Sequence, residues 1–406
     1  MPLAGALTLA LCAIGCTEEP APQLVDAEPA PHEWVFIFHV PNDNDLDRHA
    51  ASIRGSIRRG LIGDRVAATL LIDDADPGGL RRVALTSDSV EEEILDTDDS
   101  TDVAVLEAFL EWSSETFPAR HYALALLGHG GRLDEVALDL RPEGSTEGNA
   151  RWASAVAEAD AVRRWRASLR SGELELLFLH QCGRATLEGL YSFRDTAPVI
   201  IASETFVGAP NSYYRPVLQH LEEEPDLDGA AVARAVLETE RHAASLTVLD
   251  GRALDELPRR TNALVEALQR PDGRRLARPL GQLSAFGFGG EVTYDLCTYG
   301  SELAERNGLS GEGAVSGALG WFRDHLVLAR TSRHIFFPRV DDDWCGVATF
   351  IPWTPELLEG YGDLPFYRAS RWRELLERLA PPSVIPGLPE ISPVDPATID
   401  AAGTEP

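Results

Sequence analysis

Five short runs of the chain are almost continuously apolar: "WVFIFHV" (34–40), "RVAATLLID" (65–73), "HYALALLG" (121–128), "LELLFLH" (174–180) and "APVIIAS" (197–203). Continuity rather than alternation is the pattern of strands covered on both faces. Between them lie "DLDRHAASIRGSIRRG", "TDVAVLEAFLEWSSETF" and "RWASAVAEADAVRRWRASLR", whose apolar residues recur at three- and four-residue spacing. That is the period of helices with one covered face. Strand and helix in alternation predict an α/β fold, a doubly wound and mostly parallel sheet flanked by helices, with functional loops at the C-terminal ends of the strands. From about residue 213 the pattern turns largely helical and then mixed, with "IFFPRV" and "CGVATFIPW". This later part is expected to pack on the first rather than stand free.

The flanks read differently. Residues 17–33, rich in Pro, Ala and Glu, lack hydrophobic periodicity and are expected to be a tether, and residues 381–406 carry seven prolines and read as a loose tail. The predicted organisation is therefore a leader segment (1–16), the tether (17–33), an α/β core (34–225), a helical and mixed region (226–380) and the tail (381–406). The leader has an apolar stretch too short to span a membrane and of the right length for a secretory signal. "AIGC" resembles a bacterial lipobox, in which Cys16 would be lipidated; alanine stands where leucine is usual, and no Arg or Lys precedes the apolar stretch, the first being Arg48. Export as a cell-envelope lipoprotein is the expectation, with an ordinary cleaved signal or cytosolic residence as alternatives. Membrane contact is expected only through that anchor.

Composition narrows the partners. The 406 residues are 44% hydrophobic, enough for a substantial core, and carry a formal net charge of −29 with arginine as the sole basic side chain apart from histidine. Nucleic-acid binding needs basic patches that neutralise phosphates, so it is excluded as the expected role. The acidic surface is either a solvated coat or an attraction for basic peptides. With Cys12 and Cys16 set aside, Cys182, Cys297 and Cys345 remain. Either Cys297 and Cys345 form a disulfide that leaves Cys182 free, or all three are buried thiols.

Two predicted strands run into reactive side chains. "ALALLGHGG" delivers His129 among glycines, and "LLFLHQCGR" delivers Cys182 followed by Gly183. A thiol attacks a carbonyl as its thiolate, which a neighbouring imidazole generates. Glycines beside the histidine permit tight turns and leave an N–H free for an oxyanion. The two residues stand 53 apart, a caspase-like spacing.

From these segments the chain resembles the clostripain family of cysteine peptidases, which share the caspase-like fold with gingipains, legumains and separases. "WVFIFHVPNDNDLDRHA" is similar to the family's opening strand and turn, placing Asp43 and Asn44 near the site, and "SLTVLD" and "CGVATFIPWTPELLEGYGDLPFYRASRWRELL" resemble later family stretches. The resemblance implies cleavage of peptide bonds in a peptide or protein substrate, with Cys182 as nucleophile, His129 as its partner, and the backbone N–H groups of Gly130 and Cys182 as oxyanion donors. "VIIASETFVGAPNSYY" resembles the next strand with its Ser-Glu-Glu element, here Ser203, Glu204 and Thr205. Members typically carry Asp-Ala-Cys at the nucleophile, the aspartate helping to receive an Arg or Lys side chain; here the positions are His180 and Gln181. Residues two apart on a strand share a face, so His180 is expected in the pocket, with basic preference weakened unless Glu204 supplies the charge. A hydrogen-bonded core histidine is the alternative. No aspartate is expected to orient His129. The resemblance also carries calcium and maturation by cleavage of a loop, for which "RPEGSTEGNARW" (141–152) is the candidate; neither follows from these residues, which require no cofactor. Rival readings are a catalytically impaired homologue acting as a binding or scaffold module, a metal site on His180 and Cys182, and a different hydrolase or nucleotide-binding domain. The last lacks its G-x-S-x-G motif or glycine-rich phosphate loop.

Overall fold

The computed structural model describes residues 32–73, 79–141, 150–270, 272–280, 285–310, 313–333 and 343–381. Cys16, residues 17–31 of the tether, most of the 141–152 loop, "IFFPRV" and the tail after residue 381 lie outside the described residues; His32 and Glu33, expected to end the tether, instead begin the first strand. In chain order the first half runs β1 (His32–Pro41), α1 (Asp47–Gly60), β2 (Val66–Asp73), β3 (Arg81–Leu85), β4 (Val90–Ile94), α2 (Val103–Thr116), β5 (Ala119–Leu126), β6 (Glu135–Asp139), β7 (Arg151–Ser154), α3 (Ala155–Ser168), β8 (Glu173–Leu179), α4 (Leu187–Ser192) and β9 (Val199–Ala202). The second half adds α5 (Tyr214–Glu223), α6 (Gly229–Thr239), β10 (Ser245–Asp250), α7 (Leu257–Ala267), β11 (Phe286–Phe288), β12 (Glu291–Asp295), α8 (Leu296–Arg306), α9 (Ala314–Trp321), β13 (Val327–Ser332), β14 (Ala348–Phe350) and three short helices, α10 (Pro355–Glu359), α11 (Pro365–Ala369) and α12 (Trp372–Glu377).

Nine strands form one sheet in the order β13-β10-β9-β8-β5-β1-β2-β3-β4. The central five, β9-β8-β5-β1-β2, are mutually parallel, and the strands added at each end pair antiparallel. From β1 the chain first adds β2 on one side and later β5 on the other, which opens a crevice at the strands' C-terminal ends. Alternate residues face opposite layers. Trp34, Phe36 and Phe38 pack with Ile53, Leu218 and Val236 of α1, α5 and α6, while Val35, Ile37 and Leu124 pack with Leu110 and Trp165 of α2 and α3. Both faces are therefore covered, which is why the five runs read as continuously apolar.

The later part completes this sheet rather than standing apart, since β10 and β13 are two of its strands. The small β11-β12-β14 sheet docks on α4 through one buried carboxylate: Glu188 accepts hydrogen bonds from the Thr349 hydroxyl (3.0 Å), the Phe350 N–H (3.3 Å) and the Tyr367 hydroxyl (3.0 Å). At the opposite edge β4 lies wholly exposed, and Glu92 and Glu93 pair with Arg54, Arg81 and Arg82. Among the described residues no helix is long and apolar enough to cross a membrane.

Leu124 lies between β1 and β8 and is 1% exposed, whereas Ile94 on β4 is 60% exposed. Leu124→Ala is expected to lower the unfolding free energy by about 2–5 kcal/mol, and Ile94→Ala by less than about 0.5 kcal/mol. Denaturant titration of the two variants checks the contrast.

Candidate active site

Leu126 of β5 and Leu179 of β8 are paired in register. Three residues beyond each comes His129 on one strand and Cys182 on the other, so parallel register alone brings both to the same end of the sheet. Gly128 makes the first turn at φ 106°, a conformation that favours glycine. The chain then folds back on β6, with the His129 carbonyl accepting from the Ala137 N–H (3.1 Å) and the Gly131 N–H donating to the Glu135 carbonyl (2.9 Å). Gly130, between them, presses on the nucleophile loop: a side-chain carbon there would overlap the Cys182 carbonyl oxygen. Neither the Gly130 N–H nor the Cys182 N–H has a backbone partner among the described residues.

Cys182 is a free, half-buried thiol. Its sulfur accepts from the Val207 N–H at 3.3 Å and lies 3.7 Å from the Val207 carbonyl. Burial pushes the thiol up, and the Val207 backbone and the Arg184 charge offset part of that rise. Gly183 follows at φ 67° with Phe286 against it, so a side chain there would be strained and would overlap that ring. The loop is pinned from the next strand: the Gly183 N–H donates to the Thr205 carbonyl and the Ala185 N–H to the Ser203 carbonyl, both at 2.8 Å.

Two further residues complete the arrangement, Asp45 from the turn that resembles the family's and Arg184. Asp45 accepts a 2.6 Å hydrogen bond from His129 Nε2, and that bond holds the Asp45 carboxyl below its usual value. The turn that presents it is fixed by Asn44, whose Nδ2 donates to the Pro41 (2.9 Å) and Leu138 (2.7 Å) carbonyls, and by Asp43, which pairs with Arg141. Arg184, 4% exposed, donates to five carbonyls: Cys182 (3.0 Å), Gly131 and Arg132 (3.1 Å each), and Leu133 and Glu135 (3.2 Å each). Burial lowers its pKa to about 10, so it stays cationic at neutral pH.

The expected specificity residues lie elsewhere than a strand-face argument places them. His180 is 4% exposed, stacked on Phe178 with ring centroids 4.4 Å apart, and its Nδ1 stands 3.4 Å from the Tyr213 hydroxyl. Burial pushes its pKa down to about 3, leaving it neutral. It is the core histidine of the alternative reading: Phe178, two residues earlier, already points into the layer beneath the sheet, and His180 follows it there. Ser203, Glu204 and Thr205 are likewise inaccessible. The Thr205 hydroxyl bonds Ser245, and Glu204 accepts from the Trp344 indole while burial and Asp295 push its carboxyl well up. These four side chains support the crevice from below. Cys297 and Cys345 form a disulfide, and Asp295 beside them accepts from the Cys345 (3.1 Å) and Gly346 (2.9 Å) N–H groups. With its two sulfurs bonded to each other, that group holds no metal-binding thiolate. Among the described residues His180 and Cys182 belong to no cluster of His, Cys, Asp or Glu with the spacing a metal ion needs, whereas the carboxylate oxygens of Asp43, Asp73 and Asp139 lie within 4.8 Å of one another.

The model of the clostripain family matches residues 71–286, a span that contains both reactive loops. The chain belongs to the clostripain family. Like others of that family of cysteine peptidases, it shares its fold with solved bacterial enzymes. A secreted C11 cysteine protease from Bacteroides thetaiotaomicron, solved with an irreversible peptide inhibitor, matches at TM-score 0.60 and 17% identity over 84% of this chain and 99% of that one. Iotapain, a secreted C11 protease of the same organism, matches at 0.62 and 14%, over 84% and 100%. An inactive zymogen C11 protease from Parabacteroides distasonis matches at 0.57 and 18%, over 84% and 99%. A comparison with curated proteins finds no match.

In this clostripain-family chain Arg184→Met removes every donor of the clamp and leaves buried carbonyls unpaired, and the unfolding free energy is expected to fall by about 3 kcal/mol. Calorimetry checks it. A second expectation concerns pH. Burial raises Glu158 to about 8 and Glu188 to about 7, both from an ordinary 4.5. Above about pH 4.5 the unfolded chain has released protons that the fold still holds, so this contribution to stability is lost as pH rises to about 8. Melting temperatures between pH 5 and 8 are expected to decline, and Glu158→Gln is expected to flatten the decline.

Proposed function

We propose that the protein is a cysteine endopeptidase in which Cys182 is the nucleophile, His129 the general base and acid, and Asp45 the group that orients the histidine. The observation that carries this reading is the close approach of Gly130 to the backbone of the residue bearing the free thiol, where neither the Gly130 nor the Cys182 N–H has a backbone partner on another residue among the described ones. Donors fixed before reaction and aimed where an oxyanion develops are the largest single aid to acyl transfer.

The chemistry follows from the charges. Burial keeps the resting Cys182 as a thiol, so attack requires a base at the moment of reaction. Asp45 accepts from Nε2, which makes Nε2 the protonated nitrogen and leaves the Nδ1 lone pair to take the thiol proton. The thiolate adds to the peptide carbonyl, and the tetrahedral oxyanion is held by the Gly130 and Cys182 N–H groups. The Asp45 carboxylate stabilises the imidazolium, which then gives its proton to the departing amine. A water, deprotonated by His129, hydrolyses the thioester and frees the sulfur.

Specificity follows from what the crevice lacks. Neither the neutral, enclosed His180 nor the buried Glu204 presents a negative charge to substrate, so we assign no preference for Arg or Lys before the scissile bond. Peptides are the substrate class, in keeping with the peptide inhibitor bound by the Bacteroides relative. Export with a lipid on Cys16 is part of this proposal; the Cys297–Cys345 disulfide favours an oxidising compartment.

Peptide-library cleavage tests it. Cys182→Ala and His129→Ala are expected to abolish cleavage, and Asp45→Asn to lower kcat by about tenfold or more with KM little changed. Equal cleavage by parent and variants overturns the peptidase, and dominant cleavage after Arg or Lys overturns the specificity assignment.

A further inference from the structure

Aromatic rings crowd both reactive loops. Gly183, one residue beyond the nucleophile, lies so close to Phe286 that a side-chain carbon there would overlap its ring. Phe206 stands edge-on to Phe286 with ring centroids 5.6 Å apart, and the next residue, Val207, donates its N–H to the Cys182 sulfur. A second pair borders the histidine loop. A side-chain carbon on Gly131 would lie 3.1 Å from the Trp152 ring, and Phe288 meets that ring edge-on at 5.6 Å. Strand β11 joins the two pairs, because Phe286 and Phe288 are two residues apart and share a face.

This wall is partly open. Phe206 and Trp152 are half-buried, and Phe288 is 41% exposed, the one aromatic side chain among the large apolar groups left exposed by the described residues. Rings that served only to pack the loops would be covered, as Phe38 and Trp165 are within the layers of the sheet. The two carboxylates beside the wall are already engaged: Glu135 accepts from the Arg132 N–H (3.0 Å), and Glu291 accepts from the Tyr361 hydroxyl and lies 4.0 Å from the Arg132 guanidinium. What faces the crevice here is apolar ring surface.

We propose that Phe206, Phe286, Phe288 and Trp152 set the specificity of the site by taking a large apolar side chain, aromatic or aliphatic, from the residue before the scissile bond. The acyl half of the substrate becomes bonded to the Cys182 sulfur, so its side chain rests on the groups that flank the sulfur, Phe206 and Phe286, while the leaving amine departs toward His129. Such rings hold an apolar side chain by the area taken out of water, and an aromatic one gains edge-to-face contact as well. This specificity rests on the peptidase reading of Cys182 and His129, and goes beyond it by naming the substrate side chain.

Two readouts keep the claims apart. Peptides that differ only at one central residue, Phe, Leu, Ala or Arg, are bound to the full chain carrying Cys182→Ala, by fluorescence polarisation, and are cleaved by the parent. The Phe and Leu peptides are expected to bind about tenfold or more tightly than the Ala and Arg peptides, and kcat/KM to follow the same order. Phe206→Ala and Phe288→Ala are each expected to cut this preference to about threefold or less, and Phe206→Asp, which sets a carboxylate against the same side chain, to turn it toward Arg. Ile94→Ala, removing an apolar group 60% exposed on β4, is expected to keep it. If Phe206→Ala does not fold, Phe288→Ala, which removes a more exposed ring, decides. Equal binding of the four peptides, tighter binding of the Arg peptide by the unsubstituted wall, or a Phe preference kept in Phe288→Ala overturns the assignment. Cleavage of all four alike overturns it too and leaves the peptidase standing. A binding preference without cleavage upholds the wall as a peptide-binding surface and overturns the peptidase.

Discussion

A single buried guanidinium holds the two reactive loops together. Parallel register carries His129 and Cys182 to one end of the sheet, but register says nothing about the coil beyond the strands. Arg184 supplies that constraint by donating to the carbonyl of Cys182 and to four carbonyls of the segment after His129. A planar fork can satisfy carbonyls in several directions at once, and it remains charged where an ammonium would readily lose its proton. The cost of burying the charge is offset because every acceptor it meets is a peptide oxygen that also needs a partner.

Glycine makes the approach tight enough to matter. Gly130 lies against the Cys182 backbone and Gly183 against Phe286, so the two loops touch main chain to main chain. The Gly130 and Cys182 N–H groups at that contact have no backbone partner among the described residues, and the thiol is steadied by Val207 from a third segment. The reactive groups thus sit on coil whose position is set by a strand end, a buried cation and a neighbouring loop.

Much of this was legible because burial leaves a strong imprint. Strands covered on both faces wrote themselves as apolar runs, and the reactive residues stood where those runs stopped. The β3–β4 hairpin was missed because its outer strand reads "VEEEI", which has no apolar face to reveal it. Asp45 was invisible as a partner because 84 residues separate it from His129, and only the return of the chain from β5 brings them together. Arg184 gave no signal in the sequence, because arginines are usually exposed and nothing in the pattern marks this one as buried. His180 was misplaced by taking the right rule to the wrong side: it does share a face with its neighbour two residues away, but that neighbour is Phe178, which faces the core.

The charged hairpin at the far edge has a consequence of its own. A nine-stranded sheet must stop somewhere, and its last strand exposes N–H and C=O groups that another strand can extend. On β4 that row is bordered by Glu91, Glu92 and Glu93, all exposed. If two molecules approached edge to edge, these glutamates would be set against one another with their unpaired backbone between them. The same negative residues that hid the strand from a hydrophobic pattern therefore work against extension of the sheet by a second strand at this edge.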